Sequence, residues 1–473
     1  MTEPFSLVIF GVTGNLSQIK LLPALYDLEK HDLLPPGAKI VGVSRQSLSS
    51  DEFINYLSAI LHQENRHHPH PIDDRIFSRL AARLSHISGT IASEALYQQI
   101  KSRTSGHRIF YLATYPSLYA QIFSYLNSSG LNTQGPAHWT RIVVEKPLGN
   151  DLPSARALDE LLLSFFVEDQ IYRLDHYLGK ETLQNIITFR FGNGIFEPLM
   201  NAEYIDHIQL TAGEDFGIGK RGAYYDSVGA LKDVGQNHIL QILALVLMED
   251  PIHFTNAAIT QKRIDLLRRL IPDPRSVVFG QYAGYTSELN VDPASTTDTF
   301  FAFTTGVSGD RFRGVPIYVR AGKKLTRTVT EVNIVFKLPR NRIFKEIAGG
   351  LEPNGLIYRF QPNEGIVLKI LTKTPGHAQS IEPTFMQFCY RHLKGDMADP
   401  YEKLLLDVLR GDQTFFNDAP EVEAQWAFTD KLFSAKTQPI PYLPGSWGPD
   451  AAHALLTRDH RSWIEPSAAF CQF

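Results

Sequence analysis

Two histidines with nearby acids are the first candidates for chemistry in this chain. His176 directly follows Asp175, and His238 comes five residues after Asp233. Histidine is the usual general base near neutral pH, and a carboxylate fixes its tautomer and stabilises its charged form. A lone histidine is more often structural, but two such pairs beside a cofactor motif favour proton-transfer catalysis.

A glycine turn near the N-terminus offers a site for a pyrophosphate. Gly11 and Gly14 follow the apolar run 7–10 and precede leucines at helical spacing over 21–28. Glycines let the backbone approach a phosphate, and a helix N-terminus supplies free N–H groups. The turn lacks the middle glycine of the usual fingerprint, so a purely structural turn is the alternative. Its position after a first strand favours dinucleotide binding.

The end of the second predicted strand, 39–43, bears on the choice of cofactor. NAD sites usually carry an acid there for the ribose hydroxyl, whereas this chain has Ser44 and then Arg45. An arginine pairs with a 2′-phosphate in a bidentate manner, which favours NADP. A solvated surface arginine is the alternative.

Two kinds of strand pattern divide the chain. Short buried-strand candidates alternate with helical stretches in the first part, at 7–10, 39–43, 108–113 and 141–144. This predicts an α/β, Rossmann-like domain with a doubly wound parallel sheet over residues 1–175. Alternating strands then occur among helical stretches at 233–248 and 401–409, over 205–210, 299–303, 317–319, 332–336 and 366–371. Residues 176–473 are therefore predicted to form a larger α+β domain with a mostly antiparallel sheet.

Composition excludes several classes of protein. The 473 residues carry 46 basic and 50 acidic side chains, a net charge of −4 without a basic tract, which argues against nucleic-acid binding. Two cysteines, Cys389 and Cys471, exclude a disulfide scaffold and a Cys-rich metal site. No secretion signal or membrane-spanning stretch is found, so a reduced cytoplasmic location is expected. The histidine-rich segment 65–71 contains prolines and is interpreted as a loop.

Residues 173–181 combine Arg, Asp, His, Tyr and Gly-Lys-Glu in one short segment. This segment nearly reproduces the signature of the glucose-6-phosphate dehydrogenase family, which the chain resembles. Further segments match that family in order along essentially the whole chain: the turn at 11–16, then 145–149, 233–238, 315–323, 361–365, 401–406 and 447–449. The resemblance implies oxidation of D-glucose 6-phosphate at C1 to 6-phospho-D-glucono-1,5-lactone, the first step of the oxidative pentose phosphate pathway. It implies hydride transfer to NADP, possibly also NAD, without a metal, and a homodimer or homotetramer.

The resemblance also implies roles for individual residues. His238 matches the general base, and Asp175 matches the carboxylate that orients it. Substrate contacts are implied for Lys146, His176, Tyr177, Lys180, Glu214, Asp233, Lys323 and Gln361, of which His176, Tyr177 and Lys180 match the phosphate pocket. Cofactor contacts are implied for Gly11, Thr13, Gly14, Asn15, Leu16, Lys20, Arg45, Tyr119 and Lys146. Pro147 matches a proline that is commonly cis.

Two alternatives stay open: departures from the family pattern favour an inactive homologue, whereas the segment 175–180 argues against another sugar oxidoreductase. Asn15 replaces the usual Asp, and Gly235 replaces a bulky apolar residue in the helix before His238, where glycine is expected to loosen the base. Thr328 stands where some members have an arginine, which argues against a second, structural NADP site. The alternatives are a weakened or inactive homologue that binds nucleotide or sugar phosphate, and another NAD(P)-dependent sugar oxidoreductase.

Overall fold

The computed structural model describes residues 3–62, 71–339, 351–377, 380–393 and 397–471. The chain divides into two compact units, of which unit 1 comprises residues 1–179 and 398–419 and unit 2 comprises 180–397 and 420–473. Most of the histidine-rich segment 65–71 lies outside the described residues.

Unit 1 is built around a parallel sheet. Its strands are β1 (Phe5–Phe10), β2 (Lys39–Ser44), β3 (Leu84–Ser88), β4 (His107–Leu112), β5 (Thr140–Glu145) and β6 (Ile171–Leu174). Its helices before residue 180 are α1 (Leu22–Lys30), α2 (Ser50–Leu61), α3 (Asp74–Ala81), α4 (Glu94–Arg103), α5 (Tyr119–Ser128) and α6 (Leu152–Leu163). The strand order in the described residues is β3-β2-β1-β4-β5-β6, with every pair parallel. The predicted doubly wound parallel sheet is confirmed.

The order of this sheet creates a crevice beside its first strand. The chain moves outward from β1 through β2 to β3, then returns to β4 on the other side of β1. Ligands of doubly wound sheets bind at the carboxyl ends of the strands where the order reverses. The glycine turn at Gly11 follows β1 directly and so lies at this point.

Unit 2 is built around a mixed sheet. Its strands are β7 (Ile205–Gly213), β8 (Val277–Tyr282), β9 (Phe300–Thr305), β10 (Ile317–Gly322), β11 (Val329–Phe336), β12 (Gly355–Gln361), β13 (Gly365–Lys373), β14 (Ile381–Cys389) and β15 (Ile440–Tyr442). Its helices are α7 (Glu181–Phe191), α8 (Gly222–Ala230), α9 (Leu240–Leu247), α10 (Asn256–Arg269), α12 (Ala419–Phe433) and α13 (Ala451–Thr457). The described strands follow the order β14-β13-β12-β11-β7-β10-β9-β8-β15. All pairs are antiparallel except β7–β10 and β8–β15, which confirms the predicted α+β unit.

One late segment of the chain packs with unit 1, although the sequence assigned everything after residue 175 to the second domain. Helix α11 (Pro400–Arg410) lies in the segment 398–419. Arg141 of β5 donates to the carbonyl oxygens of Val408 and Leu409 at 2.6 and 3.0 Å. A fully buried Phe416 packs edge-to-face on Tyr172 of β6. The segment therefore covers polar and apolar surface of β5 and β6.

The two cysteines are joined in a disulfide, contrary to the expected reduced state. Cys389 ends β14, and Cys471 lies 82 residues later. The pairing depends on the C-terminal segment returning to the edge of the unit 2 sheet, which the count of cysteines alone does not reveal.

Every helix in the described ranges is too short or too polar to cross a lipid bilayer.

Candidate active site

The turn after β1 is shaped as a phosphate cradle. Gly11 has φ of +84°, and a Cβ there would lie 2.4 Å from the carbonyl oxygen of Ala113. Its N–H donates to Val43 O, and the Gly14 N–H donates to Gly11 O, both at 2.9 Å. Only glycine fits at position 11, and the first N–H groups of the following helix have no acceptor within the helix. These residues fit the pyrophosphate of a dinucleotide.

The other predicted cofactor residues differ in how far they are exposed. Thr13 and Leu16 are partly exposed, Asn15 is exposed, and Arg45 is exposed directly after β2. Lys20 forms an ion pair with Asp399 at 3.1 Å, with both side chains partly exposed. Such an exposed pair is weak enough for Lys20 to exchange Asp399 for a phosphate. Tyr119, in contrast, is fully buried at the start of α5.

The signature segment follows β6. Asp175 is 2% exposed, and its Oδ1 accepts a hydrogen bond from the Tyr177 N–H at 2.9 Å. The His176 ring packs edge-to-face with Tyr177 and is nearly parallel to the ring of Tyr401 at a centroid distance of 6.0 Å. The partly exposed His176 and Tyr177 thus lie next to a buried carboxylate.

Glu145 is a buried acid that the sequence matched to the family without assigning a role. It ends β5, and its Oε1 accepts a hydrogen bond from Tyr111 at 2.5 Å. Burial raises the pKa of Glu145 to about 7, although hydrogen bonds from Tyr111 and Tyr401 oppose the rise. The next residue, Lys146, is partly exposed, and the Lys146–Pro147 bond is cis as expected from the family.

In unit 2, Glu214 and Lys323 meet because their strands are parallel. Gly213 at the end of β7 pairs with Gly322 at the end of β10, so the residue after each strand lies at the same edge. The Lys323 ammonium forms an ion pair with the Glu214 carboxylate. Lys323 is 3% exposed, and Glu214 remains partly exposed. The pair presents a cation and an acceptor side by side, a combination suited to sugar hydroxyls.

Asp233 and His238 share one face of an unusual helix. Residues Leu231–Ile239 form a π-helix that leads into α9. Its i→i+5 hydrogen bonds bring residues five apart into alignment, one turn from each other. Asp233 and His238 are 6% and 3% exposed. The buried histidine and the carboxylate therefore project from the same side of the helix.

The space beside Gly235 in this helix is filled by neighbouring side chains. A Cβ at Gly235 would lie 2.8 Å from Leu231 Cδ1 and 2.9 Å from Phe301 Cζ. The Phe301 ring occupies the space of a larger side chain, so the expectation that glycine loosens the base is not supported by the packing.

Lys180 and Gln361 are brought together across unit 2. Lys180 Nζ donates to the carbonyl oxygen of Phe360 at 3.1 Å and to Gln361 Oε1 at 3.3 Å. Its ammonium also lies 3.5 Å from the Glu364 carboxylate. Burial raises the pKa of Glu364, although the charge of Lys180 opposes the rise. Lys180 is thus held between β12 and the turn that follows.

Sequence reasoning missed Tyr225, which lies beneath the Glu214–Lys323 pair. Its ring centre is 5.1 Å from Lys323 Nζ, and the side chain is fully buried. Burial, followed by the Asp233 charge, raises the pKa of Tyr225 well above its usual value. The segment 221–226 is rich in aromatic residues, but nothing in its pattern singles out this tyrosine.

Each unit therefore gathers its own set of predicted site residues. Unit 1 holds the glycine turn with Lys20, Arg45 and Lys146, and unit 2 holds the groups around Lys180, Lys323 and His238. The pairing of Asp175 in unit 1 with His238 in unit 2 stays a prediction.

The fold and these residues define a class of protein. A doubly wound sheet with a glycine turn at its switch point binds dinucleotides, and the second unit supplies a buried histidine, carboxylates and lysines. The chain is a two-domain, dinucleotide-dependent oxidoreductase.

Comparison with known proteins identifies the family. The NAD-binding domain of glucose-6-phosphate dehydrogenase matches residues 8–185, and the C-terminal domain of the same enzyme matches 187–464. The chain is 39% identical to glucose-6-phosphate 1-dehydrogenase of Rhizobium meliloti, covering 98% of each chain. It is 37% identical to glucose-6-phosphate 1-dehydrogenase 2 of Mycobacterium tuberculosis, covering 98% of this chain and 95% of the relative. This chain belongs to the glucose-6-phosphate dehydrogenase family.

Solved structures agree with this assignment. The crystal structure of glucose-6-phosphate 1-dehydrogenase from Mycobacterium avium has a TM-score of 0.89 and 34% identity, covering 98% of this chain and 99% of the other. A glucose-6-phosphate dehydrogenase solved with its substrate glucose 6-phosphate has the same TM-score and 32% identity, covering 98% and 100%.

Proposed function

We propose that this chain oxidises D-glucose 6-phosphate at C1 to 6-phospho-D-glucono-1,5-lactone with NADP, the first step of the oxidative pentose phosphate pathway. The observation that carries the proposal is the full-length match to glucose-6-phosphate 1-dehydrogenases. The reaction class follows from the family, and the roles of individual residues are part of the proposal.

His238 removes the proton from the C1 hydroxyl in this proposal. Asp175 orients the imidazole and stabilises its charged form. The nicotinamide cofactor, when bound, would supply the hydride acceptor for C1. Asp233, on the same face of the π-helix as His238, contacts a sugar hydroxyl near the base. No metal is assigned to this step.

Cations and donors hold the two phosphorylated ligands. His176, Tyr177 and Lys180 bind the substrate phosphate, which needs several charged hydrogen bonds. Lys146 lies between sugar and cofactor, and Glu214, Lys323 and Gln361 contact the substrate. The turn at 11–16 with Lys20 binds the cofactor pyrophosphate, and Tyr119 supports that side from beneath the surface.

NADP is the proposed cofactor, with NAD as a second acceptor. Arg45 is exposed directly after β2, where a 2′-phosphate would lie. An arginine can pair with the phosphate in a bidentate manner, whereas the 2′-hydroxyl of NAD gains less from it.

A cytoplasmic homodimer or homotetramer is proposed as the working form. Strand β14 lies at an edge of the sheet in the described residues and exposes Phe385, Met386 and Phe388 at 41%, 59% and 41%. An exposed apolar edge strand is typical of a subunit interface.

The test is an assay of the purified chain with glucose 6-phosphate and NADP or NAD, followed by the absorbance of the reduced cofactor. We expect turnover with NADP. His238→Asn should lower kcat by about 10²-fold or more, the scale of general-base catalysis, while calorimetry finds substrate binding nearly unchanged. Binding of both ligands without turnover in the unmodified chain would instead establish the inactive homologue, and turnover of another sugar alone would establish a different oxidoreductase.

A further inference from the structure

The last part of the described chain crosses the sheet of unit 2. Residues 464–471, which we name the C-terminal strap, begin after the buried Trp463 and end at the disulfide to Cys389. The strap passes residues of β10, β12 and β14 in turn. Gln387 of β14 accepts a hydrogen bond from the Cys471 N–H at 2.8 Å. The disulfide therefore joins the far end of the strap to an edge strand.

Four arginines donate hydrogen bonds to backbone carbonyl oxygens of the strap. The pairs are Arg320 with Ile464 at 3.2 Å, Arg327 with Pro466 at 3.0 Å, Arg359 with Ser467 at 3.0 Å and Arg391 with Cys471 at 3.2 Å. Carbonyl oxygens carry only partial negative charge, so these contacts satisfy the guanidinium donors without neutralising them. Arg320 and Arg359 are buried here, whereas Arg327 is partly exposed and Arg391 is exposed.

One apolar side chain anchors the strap between these polar contacts. Phe470 is 6% exposed and packs with Ile357 and Val367, which are 7% and 0% exposed. Its ring also lies 5.5 Å from the Arg359 guanidinium. Arg359 also forms an ion pair with the buried Glu331. This ion pair does not involve the strap.

The noncovalent contacts hold a short segment that has no regular secondary structure. Single hydrogen bonds to carbonyl groups contribute little each. The disulfide is the one covalent link between the strap and the sheet in the described residues. Its loss therefore has a larger effect on the strap than the loss of any single contact.

We propose that Cys389–Cys471 is a redox modification site that fastens the C-terminal strap to the sheet. A dithiol reductant opens the bond: the disulfide gains two electrons and two protons to give two thiols, and the dithiol becomes a disulfide. The strap beyond Ile464 then leaves the sheet, and the buried Arg359 loses its hydrogen bond to the strap. This proposal does not depend on the roles assigned to the active-site residues.

Burial determines how the reductant reaches the bond. Cys389 and Cys471 are 5% and 2% exposed, so a thiolate attacks only after the strap opens. Opening is expected on the side of Cys471, because the strap has no regular secondary structure, whereas Cys389 is fixed within β14. Reduction should therefore be faster when strap contacts are weakened, for example in Phe470→Ala.

The experiment uses the full chain in its folded state. The protein is treated with dithiothreitol, free thiols are alkylated and counted by intact mass, and hydrogen exchange is followed over 464–471 and over β12. We expect no free thiol before treatment, two after it, and faster exchange confined to the strap. The unfolding midpoint should fall by about 5–10 °C, given the long loop that the bond closes.

Variants distinguish the effect of the disulfide on the strap from a general loss of stability. Cys389→Ser should exchange rapidly in the strap without reductant and show no further change with it. Arg313→Gln, an exposed arginine of the same unit that does not contact the strap, is the matched control and should behave as the unmodified chain. If Cys389→Ser does not fold, reduction of the unmodified chain gives the same comparison.

Three results would overturn the proposal. Free thiols in the untreated protein would exclude the bond, and thiols that appear only in urea would show that the folded chain does not open. Complete reduction without faster exchange of the strap would show that the noncovalent contacts suffice.

Discussion

The ammonium group of Lys323 lies 5.1 Å from the centre of the Tyr225 ring while forming an ion pair with Glu214. The ring is fully buried, and its hydroxyl has no hydrogen-bond partner in the described residues. The ring face, and not the hydroxyl, therefore stabilises the lysine. Tyr225 is a positioning residue for a side chain that we propose contacts the substrate.

Removing this ring should weaken substrate binding. Tyr225→Leu is expected to raise KM for glucose 6-phosphate roughly three- to tenfold, the scale of one desolvated cation–π contact, with a smaller effect on kcat. Tyr225→Phe should keep KM and unfold at the same or higher urea concentration, because an unpaired buried hydroxyl is removed. Steady-state kinetics and urea unfolding measure both effects.

A neighbouring pair provides the control. Lys324 Nζ lies 4.6 Å from the centre of the Tyr282 ring and is paired with Glu288. Tyr282→Leu should reduce stability as Tyr225→Leu does but leave KM unchanged. Equal increases in KM for the two leucine variants would show that loss of packing, not of the Lys323 contact, is responsible.

Replacement of Gly235 by alanine should destabilise the chain, although alanine has the higher helix propensity. Glycine costs about 1 kcal/mol relative to alanine in an open helix, so Gly235→Ala would ordinarily stabilise. Here the new Cβ would lie 2.9 Å from Phe301 Cζ, and such overpacking costs about 1–3 kcal/mol. Urea unfolding measures whether Gly235→Ala lowers or raises the free energy of unfolding. Adding Phe301→Leu should recover part of the loss, and a stabilised single variant would contradict the packing.

The pKa of Glu145 predicts a loss of stability as pH rises. Burial raises this pKa to about 7, above the value of an unfolded glutamate. In acid, Glu145 is protonated in both the folded and the unfolded chain. As pH rises, the unfolded chain releases this proton first, so the free energy of unfolding falls. The fall ends when the folded carboxyl ionises near pH 7. The fall is on the order of 3–4 kcal/mol.

Glu145→Gln tests this because the amide keeps an acceptor for Tyr111 and cannot ionise. Urea unfolding between about pH 5 and about pH 8 should show a shallower decline for the variant than for the unmodified chain. Glu160→Gln, at an exposed position of α6, is the control and should follow the unmodified chain. Parallel curves for all three proteins would exclude a raised pKa at Glu145.

Arg45 should decide the preference between the two cofactors. Arg45→Gln is expected to raise KM for NADP by roughly 10- to 100-fold, since charged hydrogen bonds to a phosphate are lost, and to leave KM for NAD almost unchanged. Arg75→Gln removes another exposed arginine of unit 1 and should affect neither cofactor. A similar loss for NADP and NAD would place Arg45 away from the 2′-phosphate.

Some strands could be predicted from the sequence and others could not. Strand β1 was predicted over 7–10 because these residues form an apolar run, and all six residues of the strand are buried. Strand β6 was missed because Arg173 interrupts it, although that arginine is 2% exposed and is paired with Asp159 and Glu168. These partners lie 5 and 14 residues earlier, in a short turn and in α6, and only the packing of α6 against β6 brings them to the arginine.

The sequence by itself determined the alternating strands and helices of unit 1, the glycine turn, the family, and the types of the site residues. These depend on residue identity and short spacing, which local sterics and hydrophobic periodicity translate into structure. Only the tertiary structure decided that Asp233 and His238 share a face, that Glu214 meets Lys323, and that 398–419 packs with unit 1. An α-helix would turn residues five apart to different sides, and the other contacts join segments far apart in the chain. Their geometry is set by helix type, strand register and packing, which residue order alone does not specify.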